Sequence, residues 1–137
     1  MATIDYSPLG RAIERLKEGL ALLTSDPEND IYRDALIQRF EFTYGLCASM
    51  LERYLTSSSI AIFEQKPTFP TLIRTASDAG LLKSGWDVWF DFRKARNLTS
   101  HVYNKETALE VVAQIPEFAE EAAFLLEALK KKADDGN

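Results

Sequence analysis

Histidine occurs once in the 137 residues, and so does cysteine. Cys47 by itself leaves no intrachain disulfide, and with His101 as the lone imidazole a zinc site of nitrogen and sulfur ligands is excluded. Glycine is sparse and scattered: Gly10, Gly19, Gly45, Gly80, Gly85 and Gly136 never fall into the spacing of a phosphate-cradling loop. A GxSxG elbow is also missing, so a serine hydrolase of that type is excluded. Charged residues interrupt every apolar run well before the ~18 residues needed to span a bilayer. The start, Met1-Ala2-Thr3-Ile4-Asp5, has neither the basic opening nor the apolar block of a secretory signal. Basic excess is lacking too. The net charge is −5, so any contact with nucleic acid has to rest on a local patch. A cytoplasmic protein that uses no membrane, metal or cofactor is the simplest expectation.

What the chain does have is helical periodicity. Its 46% hydrophobic and 27% charged residues are those of an ordinary globular protein. The length suits one domain over residues 1–137, with 1–6 and 133–137 expected to be loose. Ser7 and Pro8 predict a helix start, Ser7 as cap and Pro8 at the first helical position. Leu9, Ile13, Leu16, Leu20 and Leu23 then follow in steps of three and four. A second helix is expected from about Ile31 to Leu55 with Asp30 as its cap. Leu36, Phe40, Thr43, Cys47, Met50 and Tyr54 make one stripe there, and Ile37, Tyr44, Ala48, Leu51 and Leu55 a second, as on the central helix of a bundle. Ile60-Ala61-Ile62-Phe63 reads as a helix extension or packed loop, since no second strand exists to pair with it. A short helix from about Pro70 to Ala79 stops at Gly80. A fourth runs from about Trp86 to Asn97, and a fifth from about Lys105 to Lys132, with a kink or break at Ile115-Pro116. The fold class that follows is all-α: an up-and-down four-helix bundle with one or two extra short helices.

Several residues admit more than one role. Cys47 sits on an apolar stripe, where a small core residue fits better than a nucleophile. Glu41 falls between Ile37 and Tyr44, so its carboxylate needs a partner: a rim salt bridge with Arg39 or another arginine, or a place in an active site. Trp86, Trp89, Phe90 and Phe92 fit a core or dimer interface better than a base-stacking platform. Glu120 and Glu121 read as helix-face acids.

Chemistry concentrates in Arg96-Asn97-Leu98-Thr99-Ser100-His101-Val102-Tyr103. Within a regular helix Asn97 and His101 share a face, whereas Arg96 and His101 stand about 140° apart. A helix end, the reach of the arginine or a second chain is needed to bring them together. An arginine fork suits two phosphate oxygens, and a histidine ordinarily exchanges protons near neutral pH. RNA carries its own nucleophile in the 2′-hydroxyl. The same stretch also suits a purely structural corner.

This stretch resembles the Arg-x4-6-His motif of HEPN domains, in the form with a trailing x-Tyr. Arg33-Asp34-Ala35-Leu36-Ile37-Gln38-Arg39-Phe40-Glu41-Phe42-Thr43-Tyr44 is similar to the helix-two signature of one branch, the nucleotidyltransferase substrate-binding proteins. Gly80-Leu81-Leu82, Trp86 and the Asn97–Asn104 corner also fit, so the resemblance covers roughly residues 7–130. The run Tyr44-Gly45-Leu46-Cys47-Ala48-Ser49 departs from it, lacking the Glu, Trp and Lys usual after Phe-Thr-Tyr. The resemblance implies a homodimer with two Arg96/His101 sets in one cleft, and a minimal nucleotidyltransferase as partner in a toxin–antitoxin type system. It implies a metal-independent ribonuclease in which His101 is the acid/base, Arg96 stabilises charge and Asn97 orients them. Thr99 and Ser100 would touch the RNA or nucleotide, and Tyr103 would accept AMP. For this branch it equally implies a non-catalytic subunit that binds substrate or nucleotide for the nucleotidyltransferase.

Overall fold

A computed structural model describes residues 3–58 and 63–135. Its elements are α1 (Ser7–Ser25), α2 (Asp30–Ser57), α3 (Phe69–Asp78), α4 (Trp86–Leu98), a 3₁₀ turn (Thr99–His101) and α5 (Lys105–Asp135). Among the described residues there is no strand, and no helix is long and apolar enough to cross a membrane. The four longer helices form the expected all-α bundle. α2 is its centre, packed on α1, α3, α4 and α5. Both of its stripes face inward: Leu36, Phe40, Cys47, Leu51 and Leu55 are fully buried. The expected extension at 60–62 lies outside the described residues, while Phe63 packs against the core.

The helix starts differ from expectation in which side chain caps them. Ser7 is the first helical residue of α1 and Tyr6 holds the cap position without a side-chain cap bond; Asp5, ahead of it, accepts from the Ser7 amide at 3.0 Å and its hydroxyl at 2.7 Å. Tyr6 is buried and Ile4 packs on the core, so ordered packing begins ahead of α1. α2 is capped by Asn29, whose side chain accepts from the Tyr32 amide at 2.9 Å; Asp30 sits in the first turn and pairs with Arg33. An asparagine oxygen at that position reaches the third amide of the helix, which frees Asp30 for the ion pair. Two glycines have structural reasons. Gly80 adopts φ +77° and closes α3, its amide donating to the Ser77 carbonyl and that of Leu81 to the Ala76 carbonyl. Gly19 lets α1 and α2 approach closely, since a Cβ there would stand 3.1 Å from Leu36 Cδ1.

Of the expected kink or break at Pro116, α5 excludes the break. It runs from Lys105 to Asp135 as one helix with Pro116 inside it. Pro116 is on the exposed side while Ile115, Phe118 and Ala119 are buried, so both halves keep one buried face although one backbone hydrogen bond is lost. Phe118 is the hub of the core: its ring lies 5.0 Å from Phe40, 5.3 Å from Phe92 and 6.0 Å from Trp89. Glu121 is a helix-face acid whose side is buried, and it accepts from the Ser84 amide at 3.1 Å and hydroxyl at 2.8 Å. That carboxylate ties the segment entering α4 to α5.

Candidate functional site at the end of α4

α4 carries two faces. Trp89, Phe92 and Ala95 are buried, which sets the opposite side toward solvent and places Arg96 on the flank against α2. The helix ends at Leu98, and the chain tightens into the 3₁₀ turn. Thr99 drives this local change. Its hydroxyl donates to the Arg96 carbonyl at 2.8 Å, competing with the continuing helical bond, and accepts from Arg96 Nη1 at 3.2 Å. Three residues beyond the end of that turn Asn104 precedes α5, its side-chain oxygen accepting from the amides of Glu106 (2.9 Å) and Thr107 (3.3 Å). Tyr103 is thus held at the corner between two capped segments.

Arg96 is the best-anchored member of the set. Its Nη2 lies 3.5 Å from Glu41 Oε2, both side chains being 40% exposed. This answers the question about Glu41: its partner is Arg96, the arginine of the motif, and Arg39 instead reaches across to the Arg15 carbonyl at 2.8 Å. One turn along α2, Tyr44 is buried at the same seam. Burial pushes its phenol up to about 12, against the pull of Arg93 and Arg96 nearby. Glu41 and Tyr44 on α2 therefore face Arg93 and Arg96 on α4, two pairs with the same three-residue spacing. The periodicity of α2 showed that Glu41 required a partner, but nothing in the spacing could choose among the arginines.

The remaining residues of the stretch face outward. Asn97, Ser100 and His101 are exposed, and Tyr103 is 88% exposed. The His101 and Tyr103 rings meet edge to face at 6.3 Å. Among the described residues no hydrogen bond joins Arg96 to His101. Ideal geometry explains why: two steps of α-helix and three of 3₁₀ turn carry them roughly 200° apart. Thr99, by contrast, is buried, with its hydroxyl engaged by Arg96. A cleft of about 450 Å³ beside Tyr103 is lined by Asp30, Arg33, Asp34 and Lys105. A wider one, about 590 Å³, opens between α1 and α2 and contains none of the motif residues. Cys47 is buried with its thiol pushed up to about 12 by that burial, consistent with a core role. Among the described residues no three His, Cys, Asp or Glu side chains are grouped to hold a metal ion.

Arrangement and ancestry agree. Residues 4–131 match the family model for nucleotidyltransferase substrate binding protein like chains. The chain is similar to a probable ribonuclease HepT of Haemophilus influenzae, 37% identical over 112 residues that cover 78% of this chain and 76% of that one. It is also similar to a solved structure from Haemophilus influenzae with the fold of a substrate binding domain of a nucleotidyltransferase. There the TM-score is 0.82 at 31% identity, covering 92% of this chain and 99% of the other. With a family match over nearly its whole length and likeness in sequence and fold alike, the chain belongs to the nucleotidyltransferase substrate binding protein-like family.

Proposed function

We propose that this protein is the HEPN subunit of a two-component nucleotidyltransferase system of the toxin–antitoxin type, and that it is a metal-independent ribonuclease. The observation that carries the reading is the corner itself: Arg96 braced by Glu41 and Thr99, with His101 and Tyr103 open to solvent beyond it. The similarity to a probable ribonuclease supports it. In this reading His101 takes the proton of the RNA 2′-hydroxyl. The 2′-oxygen attacks the adjacent phosphorus, the bond to the 5′-oxygen breaks, and that oxygen leaves with the proton that His101 returns as a 2′,3′-cyclic phosphate forms. Arg96 holds the charge that grows on the phosphorane oxygens, and Asn97 orients the pair. Because Arg96 and His101 diverge within one chain, the working site is completed by a second copy in a shared cleft. Tyr103 is the residue to which the partner nucleotidyltransferase adds AMP, so that a bulky anion beside His101 silences the subunit.

The test is expression without the partner. Wild type is expected to arrest growth and degrade RNA, and His101→Ala to do neither, with an unchanged melting temperature because the ring is exposed. Equal growth and intact RNA for both would sink the ribonuclease reading. On co-expression with the nucleotidyltransferase, intact-mass measurement is expected to show AMP on wild type and none on Tyr103→Phe. A second reading is favoured by the Glu41–Arg96 pair, because an arginine already charge-paired can exchange that carboxylate for an anionic ligand. The protein would then be a non-catalytic subunit presenting substrate or nucleotide. Loss of the partner's transferase activity when this chain is omitted, with no RNA cleavage, would select it.

A further inference from the structure

The aromatic residues of α4 divide into two environments. Trp89 and Phe92 belong to the core, but Trp86 is only half-buried and Phe90 is 46% exposed. Trp86, Phe90, Arg93 and Asn97 recur in steps of four, three and four, so they line one stripe of α4, about 16 Å long, that ends at the motif, with Phe90 and Asn97 exposed and Trp86 and Arg93 half-buried. Along it the rings are continuous: Phe69 to Trp86 at 6.0 Å, then Trp86 to Phe90 at 5.6 Å. A cation lies over each ring, Arg93 over Phe69 and Arg74 over Trp86 at 5.8 Å, and Lys94 over Phe90 at 5.6 Å. None of these three cations pairs with a carboxylate among the described residues, although the chain carries a net charge of −5. Asp87 and Asp91 are on the same helix but flank the stripe, about 60–100° around from Phe90.

We infer that this stripe is a track for single-stranded RNA leading to the Arg96/His101 corner. Bases stack on Phe90 and Trp86, and phosphates pair with Arg74, Arg93 and Lys94. Alternating π-faces and unpaired cations are what a flexible phosphodiester strand requires, and a duplex, whose bases are stacked on each other, gains little from them. A cation resting over a ring can also be redirected to a phosphate, since a ring contact is weak. The inference rests on the ribonuclease reading for the direction of the track, but not for its existence.

The experiment separates the two. Binding of a fluorescent single-stranded RNA is measured with full-length His101→Ala protein, which does not consume it. Adding Phe90→Ala is expected to weaken binding about tenfold. Arg93→Gln with Lys94→Gln is expected to flatten the logarithmic salt dependence by about 1.4. Circular dichroism and sedimentation on the same samples report fold and oligomeric state. Unchanged affinity and salt slope in both variants would overturn the track, as would a lack of RNA binding in the parent. So would a shift in oligomeric state in step with the binding change, which would assign the face to a second copy. If wild type binds RNA through this stripe yet never cleaves it, the track stands and the ribonuclease reading falls. If cleavage is His101-dependent and both stripe variants bind as the parent does, the reverse holds.

Discussion

A carboxylate next to an arginine proposed to hold phosphate charge has two opposed effects, and Glu41 has both. It fixes the guanidinium in one place, and it offsets the charge that a phosphate would otherwise feel. The pair is too open to contribute much to folding, less than about 1 kcal/mol by the standard of exposed ion pairs. Glu41→Gln is therefore expected to leave the melting temperature nearly unchanged, to tighten RNA binding by roughly threefold, and to slow cleavage by roughly tenfold as Arg96 loses its fixed position. Equal binding and turnover in the two proteins would reduce Glu41 to a surface contact. The residue also illustrates how far the sequence was legible. A charged group on an apolar stripe announces a need, and the motif announces an arginine, but only the crossing of α2 and α4 joins them. Thr99 was legible as a polar member of the stretch and not as the brace of Arg96, because its bond to the Arg96 carbonyl exists only where the helix ends.

At the level of elements, the helices were readable from periodicity because each buries one coherent face, and errors collect where single side chains decide. Asp5 rather than Ser7, and Asn29 rather than Asp30, satisfy the first amides of α1 and α2. Pro116 is the larger case. A proline forbids one hydrogen bond, yet α5 continues because Ile115 and Phe118 lie on its buried side. The helix keeps the proline at a cost, so Pro116→Ala is expected to raise the unfolding free energy by about 1–3 kcal/mol, read as a higher urea midpoint at an unchanged slope. A lower midpoint would mean the ring itself packs usefully. The burial of Glu121 was not legible, because the hydroxyl and amide it serves are distant in sequence, at Ser84.

Across the whole molecule the bundle depends on one aromatic junction. Phe118 of α5 touches rings from α2 and α4 together, so Phe118→Ala opens a cavity shared by three helices. A loss of about 3–5 kcal/mol is expected, with a single cooperative transition at lower temperature. A loss under about 1 kcal/mol would show that the neighbours collapse into the space. Two buried titratable groups at this centre also set an alkaline limit. Tyr44 and Cys47 are each raised to about 12 from ordinary values of 10.0 and 9.0, with burial as the main cause. Both favour the folded state while protonated. Their contribution is complete below those ordinary values, declines above them and is lost as pH rises through about 12. Between about pH 8 and about pH 11 the melting temperature is expected to fall more steeply for wild type than for the Tyr44→Phe, Cys47→Ala protein; parallel slopes would refute this.

The tie between Ser84 and Glu121 reaches beyond the local loop. An amide proton given to a buried carboxylate is sheltered from solvent hydroxide until α5 and the loop part company. Its rate of replacement by deuterium is therefore a clock for any opening that parts the two. Since α4 runs from this tie to Arg96, the same clock times how often the arginine's supporting helix comes adrift.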